Sequence, residues 1–497
     1  MDIQAVIKIL NTELGASITS DYYNRIEEWR QWWAGYVKSF HKFSETTDSG
    51  RKKERTLYSM KMAKKICEDW AACLLNEKTQ IVLKDKASSE FLQGPEEEQS
   101  TGGVFGAISF WDEANSLVEK AFYSGTGAFV MKLDGLLAGE DGAVLTSPEA
   151  RVRMEYLPAM NIFPITVRYH QITEVAFASE NTVRGQKYVY VEIHTLENGL
   201  YVIQNRYFKS AGGGSLVPAP LPDGVAERIN TGSPYPFFSI IHPNIVNPFE
   251  NNLGLGCSVF AQAVDNLKGI DIAYNNFNRD LWLGGKKVFY NRELTRTIGV
   301  DKDGKPIYLA PDDMLQQLFV SVGDEFTEDK KLVHEFNPDL RVTDNRDAVQ
   351  AQLDYLSFKC GMGTRHYQFN SNMRAAQVTA TQYTGEKQEL KQNAAKHGIV
   401  IEQALQSIVR AILWAGKNIL GQPVDPETAI VVVFSDGYIV SDDEKKADDR
   451  QDILNGVMQR YEYRMKWYGE DEATAKAKTQ PPGPVYGRNS FPPGEDE

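Results

Sequence analysis

The chain has 497 residues, 42% of them apolar and 11% aromatic, with a net charge of -13 and a mean hydropathy of -0.40. That describes a folded polypeptide with room for about two to four domains. Its acidity excludes a protein that grips a nucleic-acid backbone tightly, which needs clustered Lys and Arg to release counterions, but not a conduit through which nucleic acid slides. Cys67, Cys73, Cys257 and Cys360 form neither a disulfide framework nor a zinc spacing and fit a reducing compartment. The opening residues lack a basic-then-apolar leader. The longest apolar run, Ala429 to Phe434, is far short of the about 20 residues that cross a bilayer. The expectation is a protein without a membrane segment that is intracellular or assembled inside a cell.

The first helix is predicted over Ile3 to Leu14, with Ile3, Val6, Ile7, Leu10 and Leu14 on one face and Gly15 as its stop. A second places Tyr22, Ile26, Trp29, Trp33 and Tyr36 on one stripe, capped by Ser20 or Asp21. Such a stripe is read as a core face. The basic run Arg51-Lys52-Lys53-Glu54-Arg55 is read as a solvated loop, because an acid interrupts it and no aromatic is interleaved. Leu57 to Asn76 is a third helix with Ala63, Ile66, Trp70 and Leu74 inward, and Lys84 to Gly103 reads as a surface excursion. A further amphipathic helix carries Trp111, Ala114, Val118, Ala121 and Phe122 and ends at Gly125.

From Gly127 to Tyr207 the period becomes two, as in Val189, Val191 and Ile193, and Glu197-Asn198-Gly199 is a hairpin turn. Ala211 to Ser215 and the prolines after it mark a flexible connection, and Pro234 to Gly256 is irregular. A long helix from Ser258 to about Leu283 then places Phe260, Val264, Leu267, Ile270, Tyr274, Phe277 and Leu281 on one face, and Gly284-Gly285 stops it. A short β-rich insert follows, with Val288 to Tyr290, Ile307 to Leu309 and an Asp303-Gly304 turn. Another helix runs from about Asp344 to Cys360, with Val349, Leu353, Leu356 and Cys360 inward.

Between Asp354 and Glu386 there is no carboxylate, while Lys359, Arg365 and Arg374 are present. This glycine-punctuated cationic loop leads into a helix from Thr379 to Leu420, about 60 Å long. Ile401, Leu405, Ile408 and Ile412 form its stripe, and Gly421 and Pro423 end it. Ile430 to Phe434 is a strand. Ser441 with Glu444 is a capping box opening a helix that carries Ile453, Leu454 and Met458. The five prolines after Gln480 predict a disordered tail.

Motifs for chemistry are missing. There is no phosphate loop and no G-x-S-x-G elbow. Gly254-Leu255-Gly256 lacks the third glycine and preceding strand of a dinucleotide fingerprint and reads as a turn leading into a helix. The histidines show no H-x-x-x-H pair. A hairpin turn explains Asp301-Lys302-Asp303-Gly304 better than a calcium loop does. Asp442, Asp443 and Glu444 suit a helix N-terminus. The expectation is no enzyme, no metal and no cofactor.

Several strings stand out in order: Glu27-Glu28-Trp29 with Trp33-Ala34-Gly35, Met62 to Lys65 leading to Asp69 through Glu77, Glu192-Ile193-His194, Asn252 through Ser258 ahead of Asp265 and Asp271, Thr379-Ala380-Thr381, and Phe434-Ser435-Asp436. Together they resemble the portal proteins of tailed bacteriophages, of the type found in siphophages of Gram-positive hosts, over nearly the whole chain. The resemblance implies an α+β portal-type fold. Residues 1–250 would be the wing, 251–284 and 341–361 the two stem helices, and 285–340 a small β-rich clip. Residues 362–378 would be the tunnel loop, 379–421 the spine helix, 422–479 the helical crown and 480–497 a disordered tail.

It further implies a ring of about twelve subunits at the portal vertex of the capsid, assembled in the host cytoplasm. Double-stranded DNA would pass transiently and without sequence preference through its axis. Partners would be the terminase large subunit docked on the clip, then an adaptor or head-completion protein, with the major capsid and scaffolding proteins around them. Within the tunnel loop Arg365, Asn370, Asn372, Met373, Arg374 and Gln377 are the channel candidates. Arg374 would touch phosphate, or equally pair with an acid of a neighbouring subunit or with solvent, while the amides offer sequence-blind hydrogen bonds. Carboxylates there would repel a passing duplex. Val264, Leu267, Tyr274, Val349, Leu353 and Leu356 are the stem-packing candidates, serving a bundle core or the next subunit. The alternative reading is another virion assembly or connector protein without a DNA channel.

Overall fold

The computed structural model describes residues 2–46, 50, 52–76, 79–95, 102–137, 139, 142–212, 214–249, 254–291, 297–304, 306–308, 319–322, 333–364, 366–368, 380–434, 446, 449–453 and 457–479. The fold is α+β, in two compact units divided after Phe434.

The first unit opens with α1 (Ile3–Leu14), α2 (Asp21–Ala34) and the single turn α3 (Lys38–His41). Asp2 caps α1 by accepting from Ala5 N–H, and Gly15, at φ 62°, ends it. In α2 the fully buried residues are Tyr22, Tyr23, Ile26, Trp29 and Trp32. Trp32, not Trp33, therefore completes the core stripe. Trp33 sits at its flank, stacked on Tyr123 at 4.6 Å and donating to Glu119 at 2.9 Å. Tyr36 lies beyond the left-handed Gly35 that ends the helix, so it leaves the stripe and is exposed.

The basic run is half of a hairpin rather than a loop: β1 (Lys42–Thr46) pairs with β2 (Lys52–Thr56), all ten residues exposed. Cross-strand Lys42–Glu54 and Arg55–Glu45 pairs explain why so charged a segment is extended. Helix α4 (Met62–Leu74) starts five residues later than expected and buries the predicted Ala63, Ile66, Trp70 and Leu74. Strand β3 (Gln80–Leu83) precedes the predicted surface excursion, which contains helix α5 (Lys86–Gln93). Asp85 caps α5 and Leu92 enters the core, an N-cap signal that outweighs the polar composition around it. After α6 (Gly103–Ala107), helix α7 (Phe110–Ser124) buries the predicted Ala114, Val118, Ala121 and Phe122 and ends at Gly125, but Trp111 is only half-buried and Phe110 and Leu117 enter the core instead.

Two sheets pack on these helices. Strands β4 (Gly127–Asp134), β5 (Arg151–Pro158) and β12 (Phe238–Ile241) form one, in the order β12-β4-β5. The other is an antiparallel meander, β10-β9-β8-β7-β6, with β11 also on β9. Its strands are β6 (Ile162–Arg168), β7 (Gln171–Val183), β8 (Gln186–Glu197), β9 (Leu200–Gly212), β10 (Ser215–Pro218) and β11 (Arg228–Asn230). Asn198-Gly199 makes the predicted turn, with both residues at positive φ. Gly212 pairs with Ser215 where β9 meets β10, so these ends of the predicted flexible connection belong to a sheet, and the stretch read as irregular contributes β12.

In the interior of the meander, Glu192 accepts from His194 Nε2 at 2.8 Å and meets Lys132 Nζ at 3.0 Å. Burial alone would push this carboxyl up, but the His194 hydrogen bond and the Lys132 ammonium outweigh it and hold it at about 2.

Gly125 and Gly256 mark a close crossing of two backbones. A Cβ on Gly125 would run into Gly256 O, and Gly256 N–H donates to Thr126 Oγ1 at 2.9 Å. That packing accounts for the glycine at 256 without any dinucleotide.

Helix α8 (Val264–Leu283), the insert strands β13 (Lys287–Asn291), β14 (Thr297–Val300), β15 (Pro306–Tyr308), β16 (Phe319–Val322) and β17 (Val333–Phe336), and helix α9 (Val342–Lys359) follow. A 3₁₀ turn at Ala261–Ala263 occupies the start of the predicted helix. Strand β13 lies between β16 and β17, and β14 pairs with β15 around the Asp303-Gly304 turn, Gly304 at φ 79°.

Helix α10 (Ala380–Asn418) is 39 residues long. Its Gln388–Asn418 part is apolar and long enough to cross a membrane, yet its stripe of Ile401, Leu405, Ile408 and Ile412 is fully buried, and it packs against β12, α4 and β18 (Ile430–Val433). Strand β18 pairs with β3.

In the second unit, α11 (Arg460–Tyr468) and α12 (Glu472–Thr479) are joined by Gly469 at φ 62°, and Arg464 forms a two-pronged pair with Glu470. The capping box belongs to Gln459 and Glu462. The pair expected at Ser441 and Glu444, the predicted helical residue Leu454 and the predicted tail lie outside the described residues.

Candidate assembly interface and channel loop

Helices α8 and α9 form an antiparallel hairpin that carries the β-rich insert at its far end. Two glycines set the approach. A Cβ on Gly269 would meet Gln352 Oε1 at 2.8 Å, and one on Gly284 would meet Leu340 at 2.5 Å. Leu267, Ile270, Leu353 and Leu356 are buried at the root, while Val264, Tyr274 and Val349 are half-buried. Beyond them the apolar core runs out. Asp280 holds the far end by accepting from Arg341 at 2.7 Å and Asn345 at 2.8 Å. Leu281, Trp282, Leu283, Leu340 and Val342 are exposed there, as are Ile272, Tyr355 and Phe358 along the shaft.

A buried acid fixes the root. Asp271, 3% exposed, accepts from His41 Nε2 at 3.0 Å and from Met60 N–H at 2.8 Å. His41 Nδ1 accepts from Val37 N–H at 2.8 Å, so its proton lies on Nε2. One turn on, Asn275 brackets Tyr58, accepting from its N–H and donating to its carbonyl. Four hydrogen bonds thus lock α8 to the segment before α4.

The loop after α9 leaves from an equally built base. Gly361, at φ 77°, turns the chain, and its carbonyl accepts from Asn393 Nδ2 of α10 at 2.9 Å. Trp70 donates to Cys360 O at 3.2 Å. Tyr367 donates its hydroxyl to Asp69 at 2.8 Å, and Gln350 donates to Tyr367 O at 2.7 Å. Burial opposes ionisation of Asp69, but hydrogen bonds from His366, Lys65 and Tyr367 hold its carboxyl below the usual range. Burial, reinforced by Asp69, pushes the Tyr367 phenol well up, so it remains a donor.

The stem candidates Val264, Leu267, Tyr274, Val349, Leu353 and Leu356 all lie in the α8–α9 hairpin, the three leucines buried within the chain itself. The loop candidates Arg365, Asn370, Asn372, Met373, Arg374 and Gln377 lie outside the described residues. Periodicity overlooked Asp271 and Asp69, since an acid scores against an apolar face. The usable signal was Asp271 directly after Ile270, four residues from Leu267. Among the described residues no group of three or more His, Cys, Asp or Glu is placed to hold a metal ion.

Residues 17–460 match the family described as phage portal protein, SPP1 Gp6-like. No curated protein sequence matches the chain.

Proposed function

The chain belongs to the SPP1 Gp6-like phage portal family, so its role is that of a phage portal and head-to-tail connector, and from that premise we propose how its elements divide the work. Membership implies an oligomeric ring in the virion that meets capsid, terminase and DNA, and a structural rather than catalytic protein.

In this proposal residues 1–250 are the wing and the α8–α9 hairpin is the stem. The strands between those helices are the clip, on which the terminase large subunit docks before an adaptor replaces it. Helix α10 is the spine, and residues 422–479 supply the crown. The observation that carries the reading is the stem hairpin itself: a two-helix arm anchored at its root by Asp271, exposing apolar residues along its shaft and bearing a small sheet at its tip. Side by side around an axis, about twelve such arms would bury those faces against each other.

Residues 362–378 leave a base pinned by Asp69, Gln350 and Asn393 and form the tunnel loop, with Arg374 touching phosphate as DNA passes. A fixed base under a cationic loop gives weak, salt-sensitive contact without grip. Negative-stain microscopy of the purified protein tests the ring. Rings with a central hole wide enough for a duplex are expected, and monomers or filaments would count against it. For the loop, Arg374→Ala should lower packaging rate or packaged length, and an unchanged packaging assay removes the phosphate role.

A further inference from the structure

Among the described residues, the meander turns three times through a two-residue loop with both residues at positive φ, the geometry that suits Asn-Gly or X-Gly. Two of the turns comply, Arg184-Gly185 (φ 49° and 80°) and Asn198-Gly199 (φ 51° and 82°). The third, between β6 and β7, uses Tyr169-His170 at φ 51° and 63°. A tyrosine in the left-handed region is strained, and here its side chain gains nothing in return, being 97% exposed. Arg168, Tyr169 and His170 make no side-chain hydrogen bond or ion pair among the described residues. The same sheet solves the same turn twice with glycine, so folding does not require Tyr169 and His170 at this one.

The sheet also borders a cavity of about 530 Å³, within the size of ligand clefts, roughly 300–1,000 Å³. It opens between β4, β8, β9 and the residues leading into β11. Leu133, Val225, Ile229 and Phe237 supply apolar wall, and the charged lining is net acidic, with Asp134, Glu192 and Asp223 against Lys132. Lys132 pairs with Glu192 and Arg153 with Asp134, while Tyr190 donates its hydroxyl to Asn205 Oδ1 at 2.8 Å and Asn205 Nδ2 donates to Ala226 O at 2.7 Å. The β6–β7 tip is at one edge of the sheet, whereas the cavity lies under β8 and β9, toward the other.

We propose that in the assembled ring the Tyr169 side chain of each subunit inserts into this cavity of its neighbour, with Arg168 and His170 meeting the acids at Asp134 and Asp223. The inference rests on the ring reading above. A closed head-to-tail ring requires each subunit to present two different, complementary surfaces, and here a basic tip at the β6 edge is matched by a net acidic cavity along β8 and β9 of the same sheet. The tyrosine ring takes the apolar wall, and its hydroxyl donates to the Tyr190 oxygen, whose own proton is held by Asn205.

The test uses the full chain. A variant carrying both Tyr169→Cys and Val225→Cys should give a ladder of covalent oligomers on mild oxidation, whereas each single variant should not. Replacing the turn by Tyr169→Asn with His170→Gly copies Asn198-Gly199. It should leave the thermal midpoint unchanged or raised while the concentration needed for ring assembly rises about tenfold or more. Absence of the ladder in rings that form normally, or unimpaired assembly of the turn variant, overturns this proposal alone. Absence of rings from the unmodified protein overturns the ring reading and this one with it.

Discussion

Replacing His397 by glutamine should remove an acid-sensitive step from the folding equilibrium. His397, 3% exposed, lies on α10 between the rings of Trp70, 4.8 Å away, and Phe122, 5.1 Å away. Its Nδ1 accepts from Asn244 N–H at 2.9 Å, so the ring is neutral with its proton on Nε2. Burial, aided by the nearby Lys396 and His242, pushes its pKa down to about 3. In the unfolded chain the group titrates at about 6.5.

Between those values the unfolded state binds the extra proton. Stability is therefore intact above about pH 6.5 and declines as pH falls toward 3. At about pH 5, some 1.5 units below the unfolded value, the loss is about 2 kcal/mol. His397→Gln keeps an acceptor for Asn244 N–H but does not titrate. Urea unfolding of both proteins at about pH 7 and pH 5 isolates the effect, because packing lost in the variant is common to both conditions. The wild type should lose about 2 kcal/mol more than the variant on acidification. Equal losses, within about 0.5 kcal/mol, would refute the assignment.

Glu192→Gln should flatten a second acid limb. With a folded pKa of about 2 against an ordinary 4.5, its ionisation contributes about 3 kcal/mol above pH 4.5, lost as pH falls through 2; denaturant titrations across that window read it out. Asp271→Ala leaves His41 Nε2–H and Met60 N–H without their acceptor and should destabilise the protein by about 3–5 kcal/mol. Combining it with His41→Ala should be less than additive by about 1 kcal/mol or more, and strict additivity would show that the two do not act together. Leu353→Asp puts a charge at a fully buried position of α9 and should abolish assembly on size-exclusion chromatography; intact rings would contradict the helix phasing.

Apolar periodicity was enough to read α1, α4, α7 and α10 and the core residues on them, because burial repeats every three to four residues along a helix that packs on one side. It was also enough for the β8–β9 hairpin, whose Asn198-Gly199 turn is chemically specified. It failed where a neighbouring element chose between near-equivalent faces. Trp32 and Trp33 both lie near the stripe of α2, and only the position of Tyr123 and Glu119 turned Trp33 to the flank. Composition likewise hid α5 and the β1–β2 hairpin, which are held by a cap and by cross-strand charge pairs rather than by apolar pattern.

The acid-free stretch after Asp354, the long helix beyond it and the helix–insert–helix order were visible in the residues alone. All three are local properties: charge, period and breaker residues along a continuous chain. What the loop stands on was decided by tertiary structure. Asp69 and Tyr367 are separated by 298 residues, His41 and Asp271 by 230, and Trp70 and Cys360 by 290. A buried carboxylate joined to a distant donor leaves no periodic trace, because its value exists only once folding has removed both from water.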